Sequence, residues 1–143
     1  MTDVRLAVYD HILSTGRVPL IREIAERVSQ PVDQVSQRLR ELQEIHAFAL
    51  APASDEILMA HPFSAVPTPY RVRGDGRAFW ANCAWDAVAI PAMLGCDATV
   101  EAHCPDCRED MIVEFSRGAL QPNSGVVHFL VEPRNFWQNV VFT

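Results

Sequence analysis

The sequence has no lysine, no apolar run long enough to span a membrane, and only four cysteines. A membrane-spanning helix needs about 20 consecutive apolar residues, so we expect no membrane association. The N-terminal stretch MTDVRLAVYD has early acidic residues and lacks the apolar core of a secretory signal. We therefore expect a cytoplasmic protein, whose cysteines stay reduced and serve metal or thiol chemistry rather than disulfides.

Positive charge is scarce throughout the chain. Twelve arginines face 18 acidic residues, for a net charge of −6, and each half carries the same excess of acids. A protein that binds nucleic acid normally presents a basic patch to the phosphates, so nucleic acid is not an expected partner. The length of 143 residues and the hydrophobic content of 49% indicate one globular domain or two very small ones.

The first 60 residues show helical spacing of apolar side chains, followed by two strand-like runs. The pattern predicts helices over 3–15, over Leu20–Val28 and from Pro31, then strands over 46–50 and 56–60. Ser29 or Gln30 is expected to cap the third helix, whose apolar face would be formed by Val32, Val35, Leu39 and Leu42.

Three helices and a hairpin predict a winged-helix-like module over residues 1–60. If this module bound DNA, the third helix would do so, through Arg38 and Arg40. Asp33 and Glu41 on the same helix offset these charges, so the helix lacks the electrostatic attraction that DNA binding requires. We favour a module that packs on the rest of the protein.

A proline-rich stretch, HPFSAVPTPYRV (61–72), is expected to run extended and to separate the two halves. The core domain, residues 61–143, is expected to hold a small mixed or antiparallel sheet with one functional helix, giving an α+β protein. Its strands are predicted over 77–81, Val100–His103, Met111–Ser116 and, around His128, over 125–132.

The functional helix is predicted over Cys83–Leu94, with Asn82 as its N-cap and Pro91 kinking it or ending it early. Cys83 and Asp86, at positions i and i+3, would project from nearly the same face. The helix N-terminus favours a thiolate and the carboxylate opposes it. A soft metal would displace the thiol proton, which Asp86 is placed to accept; otherwise the pair is a small buried cysteine and an aspartate that serves the helix terminus.

The segment PFSAVPTPYRV followed by FWANCAWDAVAIPAMLG resembles the central segment of the alkylmercury lyase (organomercurial lyase, MerB) family. The matching pattern is W-x-x-C-A-x-D-x-x-x-x-P-A-x-x-G, from Trp80 to Gly95. The family also begins with a winged-helix-like module. The resemblance implies protonolytic cleavage of carbon–mercury bonds, with Cys83 as the mercury-binding thiolate and Asp86, a second mercury contact, as the proton donor.

The resemblance further implies that no cofactor is required. Hg(II) would be a bound product, external thiols would be co-substrates, and mercury-accepting thiols or a reductase would be partners. The family places a second catalytic cysteine on a later segment, which here would be NFWQNVVFT (135–143), and this stretch holds none. We therefore match no residue to that second thiol.

Cys104 and Cys107 form a C-P-D-C knuckle between two predicted strands. The spacing is that of half a zinc site, but the second pair of ligands is absent, so we do not expect structural zinc. We expect a turn with free thiols, in which Cys104 is a further candidate mercury ligand. The alternative function is a non-catalytic soft-metal binding or sensing protein, linked to DNA through residues 1–60.

Overall fold

The computed structural model describes residues 3–140 and divides the chain into two compact units, one ending at Val66 and the other beginning at Pro67. Both units combine helices with antiparallel sheet, which confirms the α+β prediction. No helix among the described residues is both long and apolar enough to cross a membrane.

Three helices and a small sheet build the first unit. They are α1 (Val4–Thr15), α2 (Ile21–Val28), α3 (Val32–Glu44), β1 (Ala49–Leu50), β2 (Ile57–Ala60) and β3 (Phe63–Ser64). The strands pair antiparallel in the order β1-β2-β3, so part of the predicted linker forms a strand of this sheet. The helices and the hairpin are present as predicted, and the winged-helix assignment stays a prediction.

The start of α3 corrects two sequence-based expectations. Pro31 is the N-cap residue rather than the first helical residue, because its backbone is extended, with ψ at 148°. Val32 is 44% exposed, whereas Val35, Leu39 and Leu42 are buried as predicted. Val32 therefore lies at the edge of the apolar stripe, outside the core.

The second unit is a five-stranded antiparallel sheet with one α-helix. Its elements are β4 (Arg71–Gly74), β5 (Arg77–Trp80), α4 (Ala84–Leu94), β6 (Ala98–His103), β7 (Asp110–Ser116), β8 (Ala119–Leu120) and a 3₁₀ helix (Pro133–Gln138). The strand order is β5-β4-β6-β7-β8. The register pairs Val72 with both Phe79 and Val100, which places these three buried side chains on one face of the sheet.

Helix α4 contacts β4, β6 and β8 and buries Ala87, Ile90 and Pro91. Pro91 does not end the helix, which continues to Leu94. Proline removes one helical hydrogen bond, and the burial of its ring in the core offsets that loss. Gly95 ends the helix in the left-handed conformation, donating its N–H to the carbonyl of Pro91 at 3.0 Å.

The predicted strand around His128 is wrong. Residues 121–129 contain neither helix nor strand. Val126 is 87% exposed and Leu130 is 82% exposed, so this apolar run finds no neighbouring strand to pair with among the described residues. Apolar, β-branched composition favours a strand only where a sheet edge accepts it.

Candidate functional site

Cys83 is the N-cap of α4, a role that the sequence analysis gave to Asn82. Its backbone is extended, with φ at −147° and ψ at 178°, and the regular helix begins at Ala84. The Cys83 Sγ accepts a hydrogen bond from the backbone N–H of Asp86, with 3.5 Å between sulfur and nitrogen. The sulfur thus takes the place that a serine or aspartate oxygen occupies in most helix caps.

Cys83 and Asp86 interact directly, as the i, i+3 spacing predicts. The Cys83 side chain is half-buried, and burial is the main reason that the pKa of its thiol lies above the usual value. The negative charge of Asp86 raises the pKa further, and its carboxylate accepts a hydrogen bond from the thiol. The amides of Trp85 and Asp86 lower the pKa by hydrogen-bonding to the sulfur, but these effects are outweighed.

In the free protein the raised pKa therefore favours the neutral thiol of Cys83 beside the Asp86 carboxyl group. Sequence left open whether the helix N-terminus or the carboxylate dominates, and the structure decides for burial and the carboxylate. A thiol that loses its proton to an adjacent carboxylate only when a metal arrives can bind a soft cation without a separate base.

The Pro-Thr-Pro stretch anchors the backbone that leads to Cys83. The Thr68 hydroxyl donates a hydrogen bond to the carbonyl of Ala81 at 2.6 Å, and the amide of Ala81 donates to the carbonyl of Tyr70 at 3.0 Å. The amide of Tyr70 in turn donates to the Thr68 hydroxyl at 3.2 Å. These three bonds join the entry of β4 to the exit of β5, two residues before Cys83.

Tyr70 is a site residue that sequence reasoning missed. Burial raises the pKa of its phenol, and the Cys83 sulfur raises it further once the thiol is ionised, so the two groups are close enough to interact. The only available signal was its place just before β4, opposite the residue that follows β5, and this placement requires the strand pairing to be known.

Aromatic side chains connect the C-terminal segment to the first turn of α4. The ring of Trp85 lies 6.1 Å from that of Phe129, which lies 5.7 Å from that of Phe136 in the 3₁₀ helix. Trp85 is still 58% exposed, so it flanks the cysteine without belonging to the core. In the segment NFWQNVVFT, Phe136 makes this aromatic contact. The segment is described up to residue 140, and residues 141–143 lie outside the described part of the chain.

Cys104 lies in the turn between β6 and β7, and no contact in the described structure brings it to Cys83. The amides of Cys107 and Asp106 donate hydrogen bonds to its sulfur and lower the pKa of the thiol. Within residues 3–140, no three His, Cys, Asp or Glu side chains are placed to share a metal ion. Cys107 is a free thiol in the same turn, and Cys96 is a free thiol in the loop between α4 and β6.

These features define a small α+β unit with a half-buried thiol–carboxylate pair at a helix N-terminus. The sequence profile of the alkylmercury lyase family matches residues 63–143, more than half of the chain, and the protein belongs to this family. The segment matched by the profile contains Cys83, Asp86 and all of the second unit's regular structure.

Curated relatives include alkylmercury lyases of three bacteria. The Staphylococcus epidermidis protein is 28% identical over 95 residues, covering 65% of this chain and 41% of the relative. The Bacillus cereus and Clostridium butyricum proteins are each 24% identical over 121 residues, covering 81% of this chain and 52% of each relative. The chain thus spans about half the length of the curated relatives it matches.

A solved structure, that of the mercury-bound form of MerB2, is similar to this chain. The TM-score is 0.64 at 18% identity, covering 85% of this chain and 60% of that chain. This likeness shows a shared fold.

Proposed function

We propose that this chain carries the mercury-capturing and proton-donating part of a carbon–mercury lyase site. The observation that carries the proposal is the proximity of Cys83 and Asp86 at the N-terminus of α4. The amide of Asp86 donates a hydrogen bond to the Cys83 sulfur, and the carboxylate is close enough to raise the pKa of the thiol. Membership of the alkylmercury lyase family supplies the substrate class, organomercurial compounds.

In the first step, the Cys83 sulfur attacks mercury in an organomercurial R–Hg–X. The thiol proton passes to Asp86, X leaves as an anion, and an R–Hg–S bond forms. Mercury is a soft ion and prefers a thiolate to harder ligands. Because the carboxylate already accepts a hydrogen bond from the thiol, the proton has a short path.

In the second step, the proton held by Asp86 is delivered to the carbon bound to mercury. The carbon–mercury bond breaks with its electron pair on carbon, R–H leaves, and Hg(II) remains on Cys83 with the carboxylate ionised again. The hydrocarbon's proton thus comes from the captured thiol, and the reaction requires no cofactor. Asp86 is then available as an oxygen ligand to the Hg(II).

A second thiolate bound to mercury would make the carbon more basic and speed its protonation. In this proposal an external thiol supplies it, and Hg(II) leaves to mercury-accepting thiols or a reductase. The reduced cytoplasm supplies such thiols. The contacts among Trp85, Phe129 and Phe136 bring the C-terminal segment to the first turn of α4, and this segment holds no cysteine that could serve as the second thiol.

The test is methane release from methylmercury chloride with an external thiol, measured by gas chromatography. We expect Cys83→Ser and Cys83→Ala to abolish release. Serine keeps a cap on α4 and alanine removes it, so only Cys83→Ala should also lower the free energy of unfolding, by about 1 kcal/mol.

Cys96→Ser is the matched control, because it removes another half-buried free thiol and should retain methane release. Undiminished release by Cys83→Ser would refute the site. A wild-type chain that binds methylmercury through Cys83 and releases no methane would refute the lyase step and leave capture alone.

A further inference from the structure

The turn between β6 and β7 holds two cysteines outside the proposed lyase site. The carbonyl of Cys104 accepts a hydrogen bond from the amide of Arg108 at 2.9 Å, which closes a single helix-like turn over C-P-D-C-R. The amide of Cys104 donates to the carbonyl of Glu109 at 2.9 Å and closes the base of the loop. In such a turn, side chains at positions i and i+3 lie on the same side.

The two thiols are close enough to share a hydrogen bond. The Cys107 thiol donates a hydrogen bond to the Cys104 sulfur, which also accepts from the amides of Asp106 and Cys107. These donors hold the pKa of Cys104 below its usual value. Cys107 is exposed and Cys104 is partly exposed, so both are open to an ion from solvent.

We propose that Cys104 and Cys107 form a second, bis-thiolate site for Hg(II), separate from Cys83. The pair offers two soft ligands, and among residues 3–140 no third His, Cys, Asp or Glu joins them. Zinc sites normally use four ligands, whereas two thiolates suffice for a soft ion such as Hg(II). Binding releases two protons: Hg(II) displaces one from each thiol and forms two Hg–S bonds.

The register of the sheet places this turn at the same end as Cys83. Arg71 at the start of β4 pairs with Trp80 at the end of β5 and with Glu101 near the end of β6. The C-P-D-C turn follows β6, and Cys83 follows β5, so both lie at the same end of the strands. This role rests on the proposed function: the pair would be an acceptor, at the same end of the sheet as Cys83, for the Hg(II) that the lyase step produces.

The experiment uses mercuric chloride and the Cys83→Ser variant, so its outcome does not depend on cleavage of a carbon–mercury bond. We expect this variant to retain one Hg(II) per chain against an external monothiol at about 0.1 mM, since a short tether gives the second thiol a roughly millimolar effective concentration. Adding Cys107→Ser should weaken retention about 10-fold, the ratio of these two concentrations. Adding Cys96→Ser instead should not change it.

Two results would overturn the proposal. One is equal Hg(II) retention by Cys83→Ser with and without Cys107→Ser. The other is undiminished alkylation of Cys104 and Cys107 by iodoacetamide in the Hg(II)-loaded Cys83→Ser variant, measured by peptide mass spectrometry. If the wild type releases no methane from methylmercury, the lyase function is refuted, whereas the proposed Hg(II) site at Cys104 and Cys107 is unaffected.

Discussion

At the residue scale, Cys83 combines two roles that usually belong to different side chains. As the N-cap of α4 it is fixed relative to the helix, and as a thiol beside the Asp86 carboxylate it keeps its proton in the free protein. A fixed sulfur loses less conformational entropy when it binds an ion. The cap thus orients the reactive group as well as stabilising the helix.

Asp86→Asn should change two measurements in opposite directions. Asp86 is one cause of the raised pKa of Cys83, so its neutralisation lowers that pKa and increases the thiolate fraction at a given pH. We expect faster alkylation of Cys83 by iodoacetamide at about pH 8, with the pH profile shifted to lower pH. Methane release should fall about 10²–10⁴-fold, because the proton donor is lost.

Asp33→Asn is the control for this prediction, since Asp33 also lies in the first turn of a helix, in the first unit. It should leave both the alkylation of Cys83 and methane release unchanged. An unchanged alkylation profile in Asp86→Asn would mean that the carboxylate does not act on the sulfur. A parallel fall in both rates would indicate structural damage.

At the element scale, the far end of α4 is supported by the turn between β7 and β8. Arg117 and Gly118 both have positive φ, at 50° and 78°, as a tight two-residue hairpin turn requires. The amide of Gly118 donates to the carbonyl of Cys96 at 2.9 Å, and that of Arg117 to Asp97 Oδ1 at 2.6 Å. The hairpin thereby holds the loop that follows the helix.

Gly118→Ala should destabilise the protein by about 1–3 kcal/mol, measured by denaturant unfolding. A Cβ there would lie 2.9 Å from the Cα of Gly95 and 3.1 Å from the carbonyl oxygen of Pro91, both of which are backbone atoms. Gly76→Ala is the matched control: its φ is +71° and a Cβ there meets nothing within 4 Å. Equal losses in the two variants would exclude the contact with α4 as the cause.

Short-range rules predicted that Cys83 and Asp86 meet, whereas features that depend on strand pairing could not be predicted. The i, i+3 spacing of Cys83 and Asp86 is fixed by helical geometry, so their meeting could be read from sequence. The N-cap of α4 is Cys83 and not Asn82 because of the backbone angles of a single residue. Neighbouring polar side chains in the sequence do not determine those angles. The proximity of Tyr70 to Cys83 and the absence of a strand around His128 could not be predicted, because both depend on which strands pair.

At the scale of the whole molecule, the excess of acidic side chains also affects α3, the helix that would contact DNA if the first unit bound it. Arg38 is ion-paired with Glu41 at 2.8 Å, and Arg40 with Asp55 at 2.8 Å. An arginine held by a carboxylate is less available to a phosphate. The net charge of −6 adds a general repulsion between the protein and nucleic acid.

We therefore expect no salt-dependent gel shift with duplex DNA at protein concentrations up to about 10 µM, where non-specific binders of physiological strength already respond. The comparison is the double variant Glu41→Gln with Asp55→Asn, which removes the carboxylate partners of both arginines. We expect this variant to bind duplex DNA at least as tightly as the wild type does. A wild-type shift that weakens steeply as salt is added would restore the sensing alternative.

The ring of hydrogen bonds among Thr68, Tyr70 and Ala81 spans only 13 residues of chain. Closing so short a loop costs little entropy, and contacts between near neighbours in sequence form early in folding. Cys83, the proposed mercury ligand, follows two residues after Ala81. The position of the Cys83 sulfur therefore depends on a local hairpin. We expect substitutions in distant parts of the chain to leave that position unchanged.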